Sequence, residues 1–278
     1  MKIMVSLFCL AFSFGIFTQN FWDDSFFERK TGERYAVYSA DVNIRKSPDL
    51  KSGVLFRVQP GDFVTIVAKT GIQLEIDSVR DYWYEIDCAG KHGFVWGALL
   101  ADYYFEIDGT KILGANAGLK KGIFRLKISS SKNIFSEISW ASGPVDSSRG
   151  FEVKKIPLNG FDNPPDLMFT FSHFVFSEIE GGTTIETFFT VKDGKLSRHF
   201  DFIPGACDPP SAMESFLVIP GESLPADDAT AREEYKGEKN TLKIVIHSFD
   251  CDDASVNEYS CRNMVWNGRI FISRDSAR

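Results

Sequence analysis

The chain predicts an all-β protein, and three observations carry that reading. The chain has 26 Phe, several of them in alternating runs such as Phe169-Thr170-Phe171 and Phe174-Val175-Phe176, and aromatic residues at period two suit a pleated, half-buried surface. Asp193-Gly194 and Asn267-Gly268 separate such runs and supply the positive φ angles that tight hairpins need. Few segments show the 3.6-residue period of an amphipathic helix. The 278 residues suffice for one or two domains, and 44% hydrophobic with 25% charged content is ordinary for a globular chain. A formal charge of −7 with no basic stripe speaks against nucleic acid or anionic lipid as a partner.

Residues 1–19 read as an export signal. Lys2 forms the positive start, and Ile3 to Phe17 is uncharged and mostly apolar. That run is shorter than the about 20 residues a spanning helix needs but suits a signal core. No membrane span is therefore expected once the signal is removed. Ser13 and Gly15 offer cleavage after Gly15, with a site nearer Gln19 as the alternative. Cys9 sits too close to the start, after the poor lipobox Ser6-Leu7-Phe8, to be read as a lipidation site. Residues 20–33 are polar without a clear period and read as a linker. Residues 34–102 read as a first folded unit, and residues 103–278 as a β-rich, antiparallel meander domain of no recognised family.

The first unit carries a series of motifs in order. Asp41-Val42-Asn43-Ile44-Arg45-Lys46-Ser47-Pro48 reads as a strand and loop, then Val54-Leu55-Phe56, then the turn Gln59-Pro60-Gly61-Asp62 and the strand Phe63 to Val67. Asp81-Tyr82-Trp83-Tyr84-Glu85-Ile86 and Gly93-Phe94-Val95-Trp96-Gly97 follow, closed by Leu99-Leu100. In order and spacing this resembles the bacterial SH3 (SH3b) family, with Phe94 where Trp is commoner and a longer Ala68–Arg80 insertion. The resemblance implies a small SH3-like barrel. Val64, Ile66, Tyr84 and Ile86 alternate toward one face, as a small barrel requires, while Asn43 and Arg45 point away from Val42 and Ile44. The resemblance also implies a binding role, for peptidoglycan or a peptide or protein of the envelope. Tyr82, Trp83, Tyr84 and Trp96 are the candidate ligand-binding rings, since aromatic rings offer area at low entropic cost, with Asp62 or Asp81 as polar contacts. Trp83 and Trp96 also lie in motif strands, where a ring is more often core.

Downstream, the turn dipeptides predict one hairpin of Phe188–Val191 with Lys195–Phe200 and another of Asn263–Trp266 with Arg269–Ser273. Asn133 reads as a further turn. Pro204 to Asn240, rich in Pro, Gly, Asp and Glu, reads as a long connection with a short helix around Asp227–Tyr235. Leu167 precedes the Asp193-Gly194 turn by about the same distance as Leu242 precedes Asn267-Gly268, a weak internal repeat. Leu158 to Leu167 faintly resembles the calcium turn of FG-GAP-like repeats. Pro157 and Phe161 stand where carboxylates would be needed, however, and a hard cation takes six or more oxygens, so it reads as a turn feeding the Leu167 strand.

In an exported chain Cys88, Cys207, Cys251 and Cys261 allow up to two disulfides. Cys251 and Cys261 flank a polar segment and are the expected pair; Cys88 and Cys207 read equally well as buried thiols. Asp250-Cys251 resembles the start of an NlpC/P60 peptidase nucleophile motif, and SH3b domains accompany cell-wall hydrolases, so a hydrolase is the alternative reading. Such a thiol needs a His downstream, yet His92, His173, His199 and His247 all precede it. No metal-binding spacing, serine elbow or phosphate loop is present in the sequence. The expectation is a non-enzymatic binding or scaffold protein, periplasmic or at the cell surface, with no catalytic residue, metal or cofactor.

Overall fold

The structure is a computed structural model. It describes residues 28–77, 79–116, 123–129, 134–141, 151–175, 183–208, 211–224, 234–250 and 257–274. Among these, every strand pairing is antiparallel, and the protein is all-β.

The first sheet comprises β1 (Arg34–Ala36), β2 (Val42–Arg45), β3 (Val54–Val58), β4 (Phe63–Ile76), β5 (Val79–Cys88) and β6 (Lys91–Trp96), in the order β1-β4-β5-β6-β2-β3. It curls as a half-barrel around Val42, Ile44, Val64, Ile66, Tyr84, Ile86 and Val95, the period-two residues of its strands. Asn43 and Arg45 face outward: Asn43 Oδ1 accepts a bond from Arg57 Nε at 3.0 Å, and Arg45 donates to the Ser52 carbonyl at 2.7 Å. The turn Gln59–Asp62 is closed by the Asp62 carboxylate, which accepts the Gln59 N–H at 2.7 Å. Two motif glycines are set by contact. A Cβ on Gly93 would collide with the Ile44 side chain, and one on Gly97 would lie 2.6 Å from the Asp81 carboxylate. The Ala68–Arg80 insertion lengthens the β4–β5 hairpin, with register shifts at Ile66/Ala68 and Lys69/Gln73.

A 3-10 turn, Gly97–Leu99, leads to three further sheets. One is β7 (Tyr103–Ile107), β8 (Thr110–Asn116), β9 (Ile123–Ser129) and β10 (Ile134–Ala141). The next is β11 (Phe151–Ile156), β12 (Leu167–Val175), β13 (Thr183–Lys192) and β14 (Lys195–Phe202). The last is β15 (Gly205–Asp208), β16 (Ser211–Val218), β17 (Thr241–Asp250), β18 (Asn257–Trp266) and β19 (Phe271–Arg274). Each is a meander in which sequential strands are neighbours. The β11–β14 sheet is the middle layer. Its Leu167, Phe169, Phe171 and Phe189 pack on Phe124, Leu126 and Trp140 of one neighbour, while Met168, Phe188 and Phe200 pack on Leu242, Ile244 and Trp266 of the other. Adjacent Phe residues thus serve opposite cores, and each buried ring contributes about 1.5–3 kcal/mol.

Both expected hairpins form. Asp193 and Gly194, at φ 52° and 72°, close β13–β14 between Lys192 and Lys195. The second has a longer loop, since pairing resumes only at Trp266 with Phe271, not at Arg269. The repeat has a structural counterpart in β12-β13-turn-β14 and β17-β18-turn-β19. One expectation is corrected: the stretch Pro204–Asn240 is not simply a connection but holds the β15–β16 hairpin, whose β16 pairs along β17. Turn-forming composition there masked the alternation of β16. Asn133 and most of Asp227–Tyr235 lie outside the described residues. At Leu158–Leu167, Phe161 is buried in the second core and the Asp162 carboxylate binds Lys239 and Asn240, a turn feeding β12.

Tyr38 joins the first sheet to the second. Its hydroxyl donates to Glu137 at 2.6 Å, its carbonyl accepts Lys127 at 3.0 Å, and the Arg125 and Lys127 cations lie over its ring. Ala36 and Ala101 pack there against Leu113 and Ala115.

Candidate binding surface of the SH3-like unit

The four rings expected to bind ligand lie on β5 and β6, and the fold buries three of them. Trp83, Tyr84 and Trp96 are only 3%, 0% and 6% exposed. Tyr84 sits in the barrel core. Trp83 and Trp96 face each other across β5 and β6, and Trp96 Nε1 donates to the Asp81 carbonyl at 3.2 Å. A ring this enclosed presents no face to a ligand. Tyr82 is half-buried and is covered by the Lys69 ammonium, 3.8 Å from the ring centroid. Trp83, Tyr84 and Trp96 therefore belong to the packing of the unit, which corrects the expectation of an aromatic platform for these three; Tyr82 keeps part of its ring at the surface.

The polar candidates are also engaged. Asp62 caps its turn. Asp81 belongs to a buried ion triad that local sequence gave no signal for. Arg29, within the stretch expected to be a linker, is 3% exposed. It donates to Asp81 at 2.8 Å, to Asp102 at 2.8 Å and to the Leu100 carbonyl at 3.2 Å. Burial pushes the Asp81 carboxyl above its ordinary value against the pull of Arg29, while the two carboxylates hold Arg29 firmly protonated. The triad ties the segment before β1 to β5 and to the start of β7.

What this unit leaves exposed is a different surface. Edge strand β3 pairs with β2 on one side, and Val54 and Leu55, with Leu50 just before them, are 44%, 46% and 47% exposed. Phe56 is half-buried, with Lys91 5.7 Å from its ring centroid. The sequence carried a signal for this surface: three consecutive apolar residues in one strand cannot all face the same core. An apolar edge strand offers backbone donors and acceptors beside hydrophobic side chains, the chemistry by which an extended peptide adds to a sheet.

The other sequence candidates are scattered. His173 and His199 lie in or beside the sheet-to-sheet cores, and burial holds both down at about 4. His92 is on the surface, 3.4 Å from Asp87, and His247 stacks on Tyr259 at 4.4 Å. Cys261 lies on β18 opposite Val245; its expected partner Cys251 lies outside the described residues. Among the described residues no group of three His, Cys, Asp or Glu is placed to hold a metal, and no helix is long and apolar enough to cross a membrane.

Curled sheet, motif glycines and closing turn define a small SH3-type barrel. Residues 40–101 match the family model of the bacterial SH3 domain, and the rest of the chain has no assigned family. No curated protein and no solved structure matches the chain.

Proposed function

We propose that this is an exported, non-enzymatic binding or scaffold protein of the cell envelope. Its bacterial SH3 domain takes an extended peptide, from peptidoglycan or an envelope protein, along the β3 edge. The single observation that carries the reading is the exposed apolar Val54 and Leu55 on that edge, with Leu50 just before it, in a domain whose Trp83, Tyr84 and Trp96 rings are buried. The domain match supports a cell-wall or envelope setting, and the signal-like residues 1–19 support export. The order of residues supports a binding rather than a hydrolytic role, because all four His precede Cys251 and a nucleophile of the motif it resembles needs a His downstream.

The test is a co-sedimentation of the full chain with purified peptidoglycan and a pull-down from envelope extract. Leu55→Glu, on an exposed site, is expected to leave the circular dichroism spectrum intact and abolish capture. Unchanged capture by that variant refutes the β3 site. Muropeptide release by the full chain, lost in Cys251→Ser, overturns the non-enzymatic reading. A fusion protein recovered from the cytosol with Met1 intact overturns export; the expected product is exported and lacks about 15–19 residues.

A further inference from the structure

A cleft of about 390 Å³ opens between β11–β13 of the middle sheet and β16 of the last, away from the SH3-like unit. Register places its polar floor: on the face of β12 and β13 that meets the last sheet, Ser172 lies opposite Glu186 and Thr170 opposite Phe188. Thr170 is 1% exposed, lines the cleft, and its Oγ1 has no hydrogen-bond partner; Ser172 Oγ has none either. A buried hydroxyl left unpaired costs about 1–3 kcal/mol, so a fold that keeps Thr170 Oγ1 unpaired in the lining of an open cleft has an acceptor available for something that enters.

The charge at this floor is acidic. Glu186 is nearly buried, its side chain 12% exposed. Lys154 approaches it at 3.6 Å, beyond hydrogen-bond distance, and is shared with Glu152 at the same 3.6 Å. Glu222 also lines the cleft. Two or more carboxylates against one lysine disfavour an anion. Ile156, Phe202 and Ile219 supply apolar walls.

We infer that this cleft binds a primary alkylammonium group, either a free amine or a lysyl side chain of a partner. An ammonium brings three N–H donors and no acceptor. That complements the Glu186 carboxylate and the unpaired Thr170 hydroxyl oxygen. The aliphatic stem packs on Ile156 and Ile219, as lysine stems do against apolar surface while the head stays polar. Lys154 reaches the same carboxylate and competes with the ligand.

The experiment titrates the full chain with n-butylammonium, followed by methyl NMR of Thr170, Ile156 and Ile219. Butanol serves as the apolar control and tetramethylammonium as the cation without N–H donors. Saturable shifts at millimolar n-butylammonium, absent with both controls, are expected. Nα-acetyl-lysine methylamide separates the sources: binding equal to butylammonium indicates a lysyl side chain, and binding by the free amine alone a small amine. Glu186→Gln is expected to weaken binding at least tenfold. Thr170→Val, close in shape and lacking only the acceptor, is expected to weaken it several-fold with the dichroism unchanged. Lys154→Met is expected to tighten it. Should Glu186→Gln fail to fold, the Thr170 and Lys154 variants decide. Absence of saturation, equal shifts with butanol, or unchanged affinity in Thr170→Val together with weaker binding in Lys154→Met overturns the inference.

Discussion

Replacing Arg29 by Met keeps the aliphatic stem and removes the guanidinium from a site where all three charged side chains are 8% exposed or less. Asp81 and Asp102 then stay buried without their cation. Breaking a buried ion cluster from one side costs about 3–5 kcal/mol, because buried negative charge then lacks its cation, even though the Tyr82 N–H still donates to Asp81. At about 2 kcal/mol per molar of urea, that lowers the midpoint by roughly 1.5–2.5 M. The loss also has a signed pH dependence. The Asp81 carboxyl already lies above 3.8 through burial, with Arg29 the largest opposing influence. A carboxyl raised in the folded state contributes stability below its unfolded value and loses it as pH rises through the folded value. Removing Arg29 raises it further, so the deficit is largest at neutral pH and shrinks on acidification toward pH 4. Hydrogen exchange by mass spectrometry on the full chain localises the effect. Peptides covering residues 81–102 are expected to exchange at least about 100-fold faster at pH 7. Adding Asp81→Asn and Asp102→Asn to the variant is expected to recover much of the loss. A change below about 1 kcal/mol, or one that grows on acidification, refutes the reasoning.

Trp83→Ala, which empties a buried site, is expected to cost about 3–5 kcal/mol and to unfold the SH3-like unit; retained dichroism with lost ligand capture would instead restore the ring as a platform. Gly93→Ala forces a Cβ into Ile44 and is expected to destabilise the same unit by about 1–3 kcal/mol, read as a lower urea midpoint. His173, 1% exposed with both ring nitrogens unpartnered, is held at about 4 against an ordinary 6.5. The stability from its neutral ring is complete above pH 6.5 and lost as pH falls toward 4. His173→Phe is therefore expected to be more stable than the parent by about 3 kcal/mol near pH 4; an unchanged acid limb of the melting curve contradicts the assignment. Asp193→Val, a β-branched residue forced to φ 52°, is expected to cost about 1–3 kcal/mol and to loosen β13–β14 in hydrogen exchange.

The sequence by itself determined the all-β class, the barrel motifs within residues 34–102 and the β13–β14 and β18–β19 hairpins. Alternation at period two and turn chemistry at Asp193-Gly194 are local properties, written within a few residues. The same alternation pointed to Val64, Ile66, Tyr84 and Ile86 as core. It failed at Ser211–Val218, where β16 is embedded among Pro, Gly and acidic residues and is stabilised by pairing to β17. Tertiary structure alone decided the site. Trp83 lies on the strand face opposite Tyr84, and whether such a ring meets water depends on what distant chain is laid against it. Arg29 finds Asp81 and Asp102 across 52 and 73 residues, a pairing no window reveals. The apolar run Val54-Leu55-Phe56 hinted at an exposed side chain, but that it lies on an edge was decided only by the sheet order, because the number of neighbours a strand has is a property of the closed sheet and not of the strand.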